Sequence, residues 1–167
     1  MDDDAYKNIM ELLKGRDIKI VVDATKELLV KSLPYGPFLI KPNNYELGEI
    51  FGVRLTTRSS VIPYAKKLQN MGARNVLVSM AGEGAVLVSD DGRVIDAPAP
   101  EGKLINGVGA GDSMVAGFMA GYLARHDYNH AFCMGVASGS ASAFSENLAT
   151  KEEIEKVYKT IVLEEKV

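Results

Sequence analysis

Three short, mostly apolar runs, residues 18–22, 38–40 and 75–79, each end at or just before a polar residue and each follow a stretch of helical spacing. A strand buried on both faces reads this way, as a nearly continuous apolar run, whereas a half-exposed strand alternates. The pattern confines the chain to the α/β class: a mostly parallel sheet with helices on both faces and function at the carboxyl ends of the strands. Residues 18–22 close at Asp23, and residues 38–40 run into Lys41-Pro42-Asn43. There Pro42 stops strand pairing and Asn43 is placed to cap a helix over residues 44–51.

Helical spacing predicts further helices over residues 5–14, 25–33, 113–125, 129–144 and 150–162. Another is expected to begin at a cap on Ser59 or Ser60, to carry Pro63 in its first turn, and to end at Gly72. Residues 84–89 and 93–97 read as two strands joined by the turn signal Asp90-Asp91-Gly92. With 167 residues and no linker-like segment, residues 1–167 are expected to form a single domain.

Charge narrows the function. Nineteen basic against 22 acidic residues give a net charge of −3, so the basic excess that nucleic acid demands is missing. No apolar stretch approaches the ~20 residues of a membrane span. One cysteine, Cys133, cannot close an internal disulfide, which suits a reducing cytoplasm. It is expected to pack as a small hydrophobe. His126 and His130 stand four apart without an accompanying acid in the pattern and read as surface residues.

Residues 107–112, Gly-Val-Gly-Ala-Gly-Asp, place three glycines before an apolar helix. Unobstructed backbone N–H groups at a helix N-terminus suit a phosphate, although a structural loop explains the same spacing. Neither a P-loop nor a Gly-x-Gly-x-x-Gly fingerprint fits. Asp112 is open to two readings, an acid stabilising the first helical turn or a general base beside an anion. Asn43 and Glu46 share that ambiguity. They match a capping box, and together with Lys41 they also offer an amide, a carboxylate and an ammonium suited to polyphosphate and hydrated magnesium.

The segment 109–117, Gly-Ala-Gly-Asp-Ser-Met-Val-Ala-Gly, resembles the C-terminal signature of the ribokinase-like PfkB carbohydrate kinases. Lys41-Pro42-Asn43 with Glu46-Leu47 resembles their Asn-x-x-Glu segment, and Val78-Ser79 with Gly82-Glu83-Gly84-Ala85 their third conserved loop. Val22-Asp23-Ala24-Thr25 and Lys41-Pro42-Asn43 look most like the hexose-phosphate branch. Gly107 replaces the family's usual Thr, Ala81 its usual Gly, and Lys26 a frequent Gly.

The resemblance implies a ribokinase-like fold and the following roles. Asp112 would be the catalytic base and Gly109, Ala110 and Gly111 the anion hole. Lys41, Asn43, Ser79 and Gly82 would lie near the phosphates of ATP, and Glu46 would hold Mg2+ through water. The implied reaction is ATP-dependent phosphoryl transfer to a primary hydroxyl of a phosphorylated ketohexose, fructose 1-phosphate giving fructose 1,6-bisphosphate. Tagatose 6-phosphate or fructose 6-phosphate are the alternative acceptors, and a noncatalytic nucleotide-binding module is the alternative from another class. The resemblance covers only the C-terminal half of a family member, so the N-terminal part and lid are expected to be absent. A sheet edge left uncovered would then favour self-association, with a homodimer among the expected assemblies.

Overall fold

A computed structural model describes residues 4–13, 15–24 and 26–166. The elements run α1 (Asp4–Leu13), β1 (Val21–Val22), α2 (Lys26–Ser32), β2 (Leu39–Ile40), α3 (Asn44–Phe51), α4 (Arg58–Asn70), β3 (Asn75–Ser79), β4 (Ala85–Val88), β5 (Val94–Ala97), α5 (Ala110–Arg125), α6 (Tyr128–Ala143), α7 (Lys151–Tyr158) and β6 (Glu164–Lys166). Lys14 and Thr25, the expected last and first residues of α1 and α2, lie outside the described residues. The strands follow chain order in one six-stranded sheet. Its first three are parallel, with Val21 opposite Leu39, Val22 opposite Ile40, Leu39 opposite Asn75 and Ile40 opposite Val76. The α/β expectation holds.

By internal packing the chain divides into two compact units, Met1–Met80 with Val86–Val94, and Ala81–Ala85 with Ile95–Val167. In the first, Ile40, Val76, Val78 and Val86 on the strands share a core with Leu29, Leu33, Leu47, Val61 and Leu68 on the helices, all fully buried. The residues of β2 and the first four of β3 are buried, which is why these strands read as nearly continuous apolar runs, with Asn75 the polar exception. Buried Asn75 satisfies its amide by donating to the Phe38 carbonyl at 2.8 Å and accepting from the Asp90 N–H at 2.9 Å. That closure fixes the turn between β4 and β5.

The expected start of α4 is corrected. Thr57, not Ser59 or Ser60, is the cap: its hydroxyl accepts from the Ser60 N–H at 3.2 Å, and the Ser60 hydroxyl accepts from the Thr57 N–H at 3.1 Å. The helix thus begins earlier, and Pro63 falls inside it, past the first turn.

The second unit is built on α5 against α6. A side chain at Gly117 would collide with the Ser138 hydroxyl and the Met134 carbonyl, so the helices approach through this glycine. Phe118 and Phe132 are fully buried in the same unit. A second departure from expectation lies here, since α5 starts at Ala110 rather than Ser113. Without a side-chain cap or an apolar stripe, the glycine-rich start carried no boundary signal. Helix α7 is shorter than expected, ending at Tyr158, and β6 follows it without an apolar run to announce it.

Candidate functional site

In the first unit, the carboxyl ends of β1, β2 and β3 gather Asp23, Lys41, Asn43, Glu46 and Ser79. Asn43 bridges Ser79 in parallel fashion beyond the named strands, and the Ser79 N–H donates to the Pro42 carbonyl at 3.2 Å. Strand order therefore sets these residues side by side. Asn43 caps α3 with its side-chain oxygen 2.8 Å from the Glu46 N–H, and the Glu46 Oε2 accepts from the Asn43 N–H at 2.8 Å. The capping box is thus complete. It leaves the second carboxylate oxygen of Glu46 free of protein partners among the described residues, so capping and ion binding are compatible at this side chain.

Lys41 is buried, with 7% of its surface exposed, and its ammonium lies 3.3 Å from Oδ2 of Asp23. The sequence pattern marked Asp23 only as the end of a strand. Its partnership with Lys41 was missed because it joins residues eighteen apart in the chain, a pairing that only strand register creates.

In the second unit, Gly109 is the N-cap of α5 at φ +77°, a conformation that glycine adopts without steric cost. The positive φ belongs to Gly109, whereas Gly111 lies within the helix. The turn before it is organised by Asn106, whose side chain accepts from the Val108 N–H at 3.0 Å and donates to the Glu146 carbonyl at 3.1 Å. A helix leaves its first N–H groups without intrahelical acceptors. Here that of Ala110 donates to Gly107 at 3.3 Å and that of Ser113 to Gly109 at 2.9 Å. Those of Gly111 and Asp112 have no acceptor among the described residues.

The Asp112 side chain is exposed in the first turn of α5 and accepts no hydrogen bond among the described residues. Two donors and an unengaged carboxylate therefore share one helix terminus, a local arrangement able to hold an anion and accept a proton. Val108 and Leu148 are 81% and 66% exposed, an apolar surface flanking these donors. Gly82 sits on a 3-10 turn of this unit, Ala81–Glu83, and a side chain there would meet open space.

The remaining titratable candidates are structural. His130 accepts or donates at 2.8 Å to the Tyr158 hydroxyl, joining α6 to α7, so it is more than the surface residue expected. Burial, then the charge of Arg125, lowers its pKa below 6.5, against the opposing effect of Asp127. Burial pushes the Cys133 thiol up to about 11, with Asp127 adding to it. No cluster of three or more His, Cys, Asp or Glu able to hold a metal occurs among the described residues, and no described helix is long and apolar enough to cross a membrane.

The first unit thus carries a lysine-bearing strand edge and the second a helix terminus with unengaged donors, both on an α/β scaffold. The scaffold is ribokinase-like: the structure of Arabidopsis thaliana ribokinase complexed with ribose and ATP superposes with a TM-score of 0.77 at 18% identity, covering 94% of this chain and 53% of that one. The model of the pfkB family carbohydrate kinases matches residues 1–155, and the chain belongs to that family. The 1-phosphofructokinase of Bacillus subtilis (strain 168) is 47% identical over 154 residues, 92% of this chain and 50% of that protein. The crystal structure of a candidate phosphofructokinase from Staphylococcus aureus superposes with a TM-score of 0.91 at 41% identity, covering 98% of this chain and 53% of that one. The chain thus spans about half the length of the relatives it matches.

Proposed function

We propose that the chain carries the ATP-binding and phosphoryl-transfer residues of a sugar-phosphate kinase. The acceptor is a primary hydroxyl of a phosphorylated ketohexose, fructose 1-phosphate, and the product fructose 1,6-bisphosphate. The observation that carries this reading is the first turn of α5, where the N–H groups of Gly111 and Asp112 and the Asp112 carboxylate are all unengaged by protein. Family membership supports the reaction class, and the likeness to a protein named 1-phosphofructokinase supports the acceptor.

In this reading Asp112 accepts the proton of the sugar hydroxyl as its oxygen bonds to the γ-phosphorus and the bond to the bridging oxygen of ADP breaks. The N–H groups of Gly111 and Asp112, with the helix dipole behind them, stabilise negative charge on the transferred group. Lys41, Asn43, Ser79 and Gly82 receive the polyphosphate. Transfer of this kind rests on positioning and charge neutralisation more than on covalent chemistry, and these residues supply such groups. The donor set suits Mg2+, which keeps several waters and binds through few carboxylates plus phosphates; Glu46 would hold it through a water on its free oxygen. Bound there, the ion would offset the phosphate charge.

The test is calorimetry of the chain with Mg·ATP, alongside Gly111→Val, whose branched side chain at the helix terminus would cover the donors. Binding by the parent and its loss in the variant, with the circular dichroism of both alike, is expected. Equal affinity would make the turn structural only.

A further inference from the structure

The buried ammonium of Lys41 raises a question that the kinase reading leaves open, namely what holds it in place. A charge removed from water needs a partner, and its loss leaves an uncompensated buried ion. Among the described residues that partner is Asp23, 3.3 Å from Lys41 Nζ, with side-chain exposures of 8% for the lysine and 35% for the aspartate. Register explains the pairing. Val22 faces Ile40 across adjacent parallel strands, so Asp23 and Lys41, each the next residue after its strand, emerge side by side at the sheet's carboxyl edge. Glu46 turns its Oε2 to the Asn43 N–H and forms no ion pair with Lys41 among the described residues.

We infer that Asp23 is the positioning residue for Lys41. It keeps the ammonium at the strand edge while no anion is bound, and shares it with a phosphate oxygen when a polyphosphate arrives. Asp23 acts through Lys41 rather than by touching the nucleotide. This rests on the reading that Lys41 receives phosphate. The flexible four-carbon stem of lysine makes such anchoring consequential, since an unheld ammonium is free to leave the edge for solvent.

The sign of the effect separates this role from a bystander's. Removing a negative charge near an anion site would by itself tighten phosphate binding, whereas loss of positioning weakens it. Calorimetry with Mg·ATP on the parent, Asp23→Asn, Lys41→Met and the double variant tests this, with thermal melting as the check on folding. Asp23→Asn is expected to weaken binding roughly tenfold, about the cost of losing one charge-assisted hydrogen bond. It should have no further effect in the Lys41→Met background, the mark of a residue acting through its partner. Asp23→Glu, keeping the charge one methylene further out, should recover most of the affinity. Unchanged or tighter binding by Asp23→Asn, or equal weakening in both backgrounds, would overturn the inference while leaving the kinase reading intact. A parent that bound no Mg·ATP would overturn both.

Discussion

The strand edge of the first unit and the helix terminus of the second offer anion-binding groups by opposite means. At the edge, the key side chains already have partners: Asn43 and Glu46 close a capping box, and Lys41 pairs with Asp23. At the start of α5 the N–H groups of Gly111 and Asp112 and the Asp112 carboxylate have none among the described residues. The difference teaches where a substitution will be informative. On the proposed reading, a change at the edge should alter stability and ligand binding together, whereas one at the exposed Asp112 should act on the chemistry alone.

The largest expected effect is on the helix side. In a form of the protein that phosphorylates fructose 1-phosphate, Asp112→Asn should lower kcat by ~10²–10⁴ with little change in ATP affinity, because a general base acts on the proton and not on the nucleotide. Steady-state kinetics with nucleotide calorimetry check this, and equal turnover would remove Asp112 from the chemistry. Next, Gly111→Val should weaken Mg·ATP binding by roughly tenfold or more, since one covered charge-assisted donor costs ~1.5–3 kcal/mol. Its melting temperature should stay near the parent's, which would sharpen the contrast with the edge.

On the edge side the effects are smaller and mixed. Asn43→Ala removes a helix cap, so a loss of ~0.5–2 kcal/mol should appear in denaturant unfolding alongside weaker ATP binding. Loss of one without the other would break the claim of dual use. Glu46→Gln, which keeps an acceptor for the Asn43 N–H, should raise the magnesium requirement for turnover by about tenfold, at the low end for groups acting in an ion's outer shell. A magnesium titration matching the parent's would return Glu46 to capping alone.

The smallest effect is a pH dependence outside both regions. The pKa of His130 is lowered in the folded state, so the unfolded chain binds more protons between that lowered value and 6.5. Stability should therefore be fully present above about pH 6.5 and decline as pH falls from there toward the lowered pKa. Urea unfolding at a series of pH values checks this, with His130→Gln expected to flatten that part of the curve. The lowered carboxyl of Glu153 acts at more acidic pH, below its ordinary 4.5.

Much of this was legible before the coordinates. The runs at 38–40 and 75–79 announced β2 and β3 because burial on both faces favours apolar residues at consecutive positions, Leu39-Ile40 in one and Val76-Leu77-Val78 in the other. The Asn43 cap was legible because a capping box is written in four consecutive residues. The Asp23–Lys41 pair was hidden because it depends on register between strands, and the Thr57 cap because three hydroxyl residues, Thr57, Ser59 and Ser60, compete within four positions. The glycines of residues 107–112 pointed to a turn before a helix, but their lack of side chains concealed where α5 begins and assigned no positive φ to Gly109.

The most direct measurement follows the backbone amides of the chain by nuclear magnetic resonance as Mg·ATP is added. If the first turn of α5 holds the phosphates, the amide signals of Gly111 and Asp112 should move most, downfield and saturably. Saturable binding that left Gly111 and Asp112 unmoved would contradict the assignment of the anion site to this turn.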